Sequence, residues 1–134
     1  MALCKKCSTN SSDLDMVVKH YLVAALWSST YENDDGDTIE MDRDFDTDDF
    51  SQEALAEAKK DCAAFLKKAE HLLADADPQQ VGHDFWLTRN GHGAGFWDRP
   101  EIYGEDASEE LTRIAKTFGE EDVYVGDDGI LYLI

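Results

Sequence analysis

Between Glu32 and Glu53 the chain sets eleven carboxylates (Glu32, Asp34, Asp35, Asp37, Glu40, Asp42, Asp44, Asp46, Asp48, Asp49 and Glu53) against a single base, Arg43. Unpaired carboxylates at that density cannot enter a core, because each would lose its hydration without gaining a partner. The segment must therefore lie at the surface, and whatever core exists is built by the residues flanking it. Within it Ile39, Met41, Phe45 and Phe50 are the apolar anchors, and their spacing predicts an irregular acidic loop over 32–53 pinned at intervals.

The flanks carry regular patterns. Val17, Val18, Tyr21, Leu22, Ala25 and Leu26 recur at helical spacing and predict a helix from Leu14 to about Trp27, with Asp13 placed to cap it. Leu55, Ala58, Cys62, Phe65, Ala69, Leu72 and Leu73 step by three and four and predict a second helix, capped by Ser51 or by Asp49 with Gln52. After Pro78 the period changes. His83–Arg89 and Ala94–Arg99 read as two strands around the turn Asn90-Gly91-His92-Gly93. Ser108–Phe118 reads as a third helix closed by Gly119. Asp122–Val125 and Ile130–Ile134 read as a terminal hairpin around Gly126-Asp127-Asp128-Gly129. The expected fold class is α+β, in the order α-α-β-β-α-β-β. Its two hairpins join into one four-stranded antiparallel sheet covered by the helices, since isolated ribbons are marginal in water.

The 134 residues fit one domain, expected over 13–134, with residues 1–12 as a flexible tail. A hydrophobic fraction of 43% argues for a folded chain despite a formal net charge of -18. That charge repels phosphate backbones and anionic membranes and favours cationic partners. The longest apolar stretch, Leu22–Trp27, is far short of the ~20 residues that cross a bilayer, and the N-terminus lacks a signal-peptide core, so a cytoplasmic protein is expected. The three cysteines, Cys4, Cys7 and Cys62, are expected to be reduced thiols.

The block His83-Asp84-Phe85-Trp86-Leu87-Thr88-Arg89-Asn90-Gly91-His92-Gly93-Ala94-Gly95-Phe96-Trp97-Asp98-Arg99 resembles a group of small acidic proteins encoded by tailed bacteriophages and prophages. Tyr21–Ser29 and Tyr124–Gly129 look like further blocks of that group, so the likeness spans roughly residues 14–134. It implies a phage-infected bacterial cytoplasm as the setting.

Several constellations carry possible chemistry. Asp42, Asp44, Asp46, Asp48 and Glu53 fall at positions 1, 3, 5, 7 and 12 of a calcium-loop template, but Thr47 stands where that loop needs glycine. Cys4-Lys5-Lys6-Cys7 has the spacing of half a zinc site without a second half, and Cys62 reads as a small core residue. His83, Asp84, His92 and Asp98 supply imidazoles and carboxylates, yet strand alternation sends His83 and Asp84 to opposite faces. The same alternation sets Phe85, Leu87 and Arg89 against Asp84, Trp86 and Thr88, so Trp86, Phe96 and Trp97 could leave an aromatic strip exposed as an interface anchor; the plainer reading is core. Arg89 and Arg99 are rare cations expected to pair with carboxylates such as Asp84 or Asp98. Asp127-Asp128 reads as turn chemistry.

These readings converge on a non-enzymatic protein that needs no cofactor. Its expected role is to bind and inhibit a basic, nucleic-acid-binding host protein, such as a CRISPR, restriction or other defence effector, by DNA mimicry. The partner-binding residues would be Asp34, Asp35, Asp37, Asp42, Asp44, Asp46, Asp48 and Asp49, with Trp86 and Trp97. Two alternatives come from other classes: a small metal-binding protein or metal-dependent enzyme, and a phage structural or assembly accessory protein.

Overall fold

The computed structural model describes residues 11–73, 76–91 and 95–133, with side chains from Leu14 onward. Helix α1 (Ser11–Ser28) buries Val17, Tyr21, Leu22, Ala24, Ala25 and Leu26. It takes in Ser11 and Ser12 from the expected tail; residues 1–10, with Cys4 and Cys7, lie outside the described residues. Strands β1 (Thr30–Glu32) and β2 (Thr38–Glu40) form an antiparallel hairpin, followed by a helical turn α2 (Met41–Asp44) and a 3-10 turn at Thr47–Asp49. The acidic segment is thus more ordered than an irregular loop.

Helix α3 (Gln52–Ala69) opens with the Ser51 hydroxyl accepting from the Ala54 amide at 3.0 Å, one of the two caps expected. Its buried face is Ala54, Ala58, Cys62, Phe65, Leu66 and Ala69, and a 3-10 turn at Glu70–Leu72 continues it. After helix α4 (Pro78–Arg89) come a 3-10 turn at Phe96–Asp98, a short α5 (Pro100–Tyr103) and α6 (Glu105–Lys116). Leu111, Ile114 and Ala115 are buried on α6, and Gly119 just beyond it takes φ +80°. Strands β3 (Val123–Val125) and β4 (Leu131–Leu133) then pair in antiparallel, Tyr124 opposite Tyr132.

The expected four-stranded sheet is not formed. The described residues carry two separate two-stranded sheets, β1–β2 and β3–β4, and His83–Arg89, read above as a strand, is the second half of α4. Ala94 and His92 lie outside the described residues, and Phe96–Asp98 is a 3-10 turn. The physical reason is burial. Helix α4 runs through the middle of the molecule and hides Val81, Gly82 and every residue from Asp84 to Arg89. A helix enclosed on all sides has no polar face, hence no 3.6-residue period to read. Pro78 is its first-turn residue, with the Asp77 carboxylate accepting from the Gln79 amide at 3.0 Å. Asn90-Gly91, read as a hairpin turn, is its C-terminal stop, Gly91 at φ +73°.

The core is centred where α1 lies along α4, with α3 packed on α1. Phe65 of α3 stacks on Phe85 of α4 at 4.2 Å between ring centroids and on Phe96 at 5.4 Å, and Tyr21 meets Trp86 edge-on at 5.2 Å. Gly82 permits the α1–α4 approach: a Cβ there would lie 2.2 Å from the Val17 carbonyl oxygen and 2.9 Å from the Tyr21 nitrogen. Since backbone cannot yield as a side chain would, Gly82→Ala should destabilise the protein by at least about 1–3 kcal/mol in urea unfolding. Parental stability in that variant would mean that the two helices do not approach so closely.

Candidate functional site

The carboxylates of the acidic segment are distributed over short, anchored elements. Met41 and Phe50 are buried and Tyr31, Ile39 and Phe45 half-buried, Tyr31 and Phe45 packing edge-on at 5.2 Å. All four apolar anchors expected from the sequence, Ile39, Met41, Phe45 and Phe50, are thus buried or half-buried, and Tyr31 is an addition. At the tip of the first hairpin Asn33 Oδ1 accepts from the amides of Asp35 at 3.0 Å and Asp37 at 2.9 Å, which turns Asp34, Asp35 and Asp37 outward. Asp42 and Asp44 are exposed on α2, where Asp44 accepts a hydrogen bond from the Tyr31 hydroxyl. Asp46 and Asp49 cap the 3-10 turn reciprocally: Asp46 Oδ1 accepts from the Asp48 amide at 2.9 Å and Asp49 Oδ2 from the Asp46 amide at 2.8 Å. Asp48 is exposed and Asp49 half-buried. The calcium-template residues are therefore spread over α2, a capped turn and the start of α3.

The two tryptophans part company. Trp97 is 51% exposed, whereas Trp86 is 1% exposed and its indole N–H donates to the Ser28 hydroxyl at 2.9 Å. The aromatic strip read from strand alternation does not exist: on a helix Trp86 turns into the core, and Phe96 is fully buried in the same core. Trp27, 52% exposed, instead lies 5.5 Å from the His83 ring.

The polar groups of the His83–Arg99 block form two buried knots. Asp84, fully buried, accepts from Gln80 Nε2 at 2.9 Å and the Tyr103 hydroxyl at 2.9 Å and pairs with Arg99 Nε at 3.5 Å. The Arg99–Asp84 pair is one that the sequence suggested. Arg89, 5% exposed, chooses other partners: Nη1 donates to Asp61 Oδ2 and to the Tyr21 hydroxyl, both at 2.8 Å, and lies 3.6 Å from Glu121 Oε1. Its Nε and Nη2 donate to the carbonyls of Gly119 at 2.8 Å and Phe118 at 2.9 Å. Burial opposes the charge on Arg89, but Tyr21, Asp61 and Glu121 more than offset it and hold the guanidinium above its ordinary value. Burial likewise pushes the Tyr21 and Tyr103 hydroxyls and the Cys62 thiol well up. Asp84 is thus committed to structure, Asp98 is exposed, and no group of three or more potential ligands among the described residues is placed to hold a metal ion.

A groove of about 630 Å³ opens between the two hairpins, bordered by Thr30–Asp34 on one side and Val123–Asp127 on the other, with Met41. Its charged residues are Glu32, Asp34 and Asp127. A neighbouring cleft of about 640 Å³ between α3 and the second hairpin adds Glu53, Glu57 and Glu121 beside Tyr124 and Tyr132. The second hairpin, given above only a structural part, therefore stands among carboxylates from both halves of the chain.

No protein-family model, curated protein or solved structure matches this chain. No helix among the described residues is long and apolar enough to cross a membrane.

Glu121 carries a pH signature. Burial, ahead of the opposing attraction of Arg89, raises its carboxyl above the ordinary value. A group that binds its proton more tightly when folded contributes stability below its unfolded pKa of about 4.3 and loses it as pH rises through the higher folded value. Glu121→Gln, neutral throughout, should therefore gain stability relative to the parent as pH rises from 4 to 7. Chemical denaturation at several pH values measures the difference, and a constant or shrinking gap would contradict this account.

Proposed function

We propose that this protein binds and inhibits a basic nucleic-acid-binding protein of a bacterial host by presenting carboxylates where that partner expects phosphates. A phage-encoded inhibitor of a defence effector, acting in the cytoplasm of the infected cell, is the form of this reading that the sequence blocks favour. The observation that carries it is the way the acids are mounted. Asp34, Asp35, Asp37, Asp42, Asp44, Asp46 and Asp48 are exposed, yet they sit on a hairpin, a helical turn and a capped turn tied to the core by Met41 and Phe50. Mounted charges attract a basic groove without the ordering cost that a disordered acidic run would add on binding. Association would be steered electrostatically and weakened by salt.

The test begins with capture from bacterial lysate at low salt and elution by a salt gradient, which should recover a nucleic-acid-binding protein that DNA displaces. Changing Asp34, Asp35, Asp42 and Asp48 together to Asn leaves the caps at Asp46 and Asp49 and the Tyr31–Asp44 bond in place. With each exposed pair worth ~0.2–1 kcal/mol, affinity for that partner should fall between about fourfold and nearly a thousandfold. Equal binding by the variant at low salt would reduce the segment to a solvated surface.

A further inference from the structure

Both hairpins leave strand edges open, and the register says which backbone atoms lie on them. In the first, the Asn33 amide donates to the Asp37 carbonyl at 2.9 Å and the Met41 amide to the Ser29 carbonyl at 3.0 Å, while Tyr31 faces Ile39. Hydrogen-bonded pairs alternate in an antiparallel ladder, so the amides and carbonyls of Thr30 and Glu32 point away from β2. In the second, the Gly126 amide donates to the Ile130 carbonyl at 2.8 Å, so those of Val123 and Val125 point away from β4. The outer edge of β4 is already engaged, its Leu131 carbonyl accepting from the Ser51 amide at 2.8 Å. The outward groups of β1 and β3 make no backbone hydrogen bond to a described residue.

Those two open edges border the same groove, Thr30–Asp34 facing Val123–Asp127. An unpaired edge is a template for another strand, and two edges on one groove can receive a single segment between them. We infer that this groove takes an extended, basic segment of a partner protein, which lies between β1 and β3, pairs through its backbone with both, and sets lysine or arginine side chains against Glu32, Asp34 and Asp127. Tyr124, 49% exposed on β3, offers a ring face to such a cation. A second copy of this chain is a poor occupant, because each copy carries a formal charge of -18. The inference rests on the partner being cationic, as proposed above, and adds the conformation in which part of it is held.

The probes are an octapeptide of alternating lysine and valine and its fully N-methylated counterpart, equal in charge but without amide donors. The plain peptide should bind at least tenfold more tightly, and hydrogen exchange at the Thr30, Glu32, Val123 and Val125 amides should slow when it is added. Glu32→Pro and Val125→Pro each delete an outward amide and should weaken the plain peptide severalfold; should either variant fail to fold, the comparison of the two peptides decides. Equal binding of both peptides, no binding of either, or unchanged exchange at the four amides overturns the inference. Slowed exchange at those amides in the protein alone, growing with its concentration, would overturn it in favour of a second copy. None of these results touches the charge-mimic reading, which stands or falls on the aspartate-to-asparagine variant.

Discussion

The guanidinium of Arg89 is the constraint on which the rest of the arrangement depends. It reaches Asp61 on α3, Tyr21 on α1, and the carbonyls and carboxylate of the 118–121 link that leads into the second hairpin. A charge so enclosed is tolerated only while every partner is in place, and losing one leaves the others buried and unpaired. Hydrophobic contacts around Phe65 and Phe85 would accept many small shifts; the fork of an arginine accepts few. One residue of the central helix thereby fixes the relative positions of three other parts of a chain otherwise dominated by repulsion.

That repulsion is handled by separation. Few polar residues are buried, Asp84 and Arg89 in their knots with Thr88, Ser108 and Ser51, and every other acid stays outside the core among the described residues. Where acids crowd, some are put to local use: Asp46 and Asp49 satisfy amides of a turn, Asp44 holds the Tyr31 hydroxyl, and Asp128 holds the Ile130 amide at 3.0 Å and the Tyr132 hydroxyl at 2.8 Å. The remaining carboxylates of the acidic segment ride on elements that Met41 and Phe50 anchor to the core. A surface of this kind repels other anions over a Debye length, and the cation that reaches it meets a shaped wall.

How much of this is legible in the chain follows from which faces meet water. Helices α1, α3 and α6 each keep an exposed side, and the spacing of Val17, Tyr21 and Leu22, of Ala58, Cys62 and Phe65, or of Leu111 and Ile114 reveals them. From Asp84 to Arg89 helix α4 has no such side, so Phe85-Trp86-Leu87-Thr88 reads as a strand and Asn90-Gly91 as a hairpin. From that one misreading follow the four-stranded sheet and the exposed Trp86. The Asp84–Arg99 pair could be inferred because both residues lie in one block. The partners of Arg89 could not: Asp61 and Glu121 are distant in sequence and look like ordinary surface acids of a very acidic chain. The groove was equally hidden, since it belongs to two hairpins brought together only by the tertiary fold.

Ser51 makes two bonds of very different range in the chain. Its hydroxyl starts α3, a local contact available as soon as that helix forms, but its amide is held by the carbonyl of Leu131, beside the parallel bridge from Phe50 to Leu131. On a ribosome the acidic segment can therefore be started early and not finished. Its far end stays unfastened until residue 131 has been made, and α1 likewise waits for Gly82 before its inner face is covered. Contacts of such long range delay closure of the native state until most of the chain is available. During that interval the carboxylates themselves keep nascent chains apart, so the charge that equips the finished surface also protects the unfinished one.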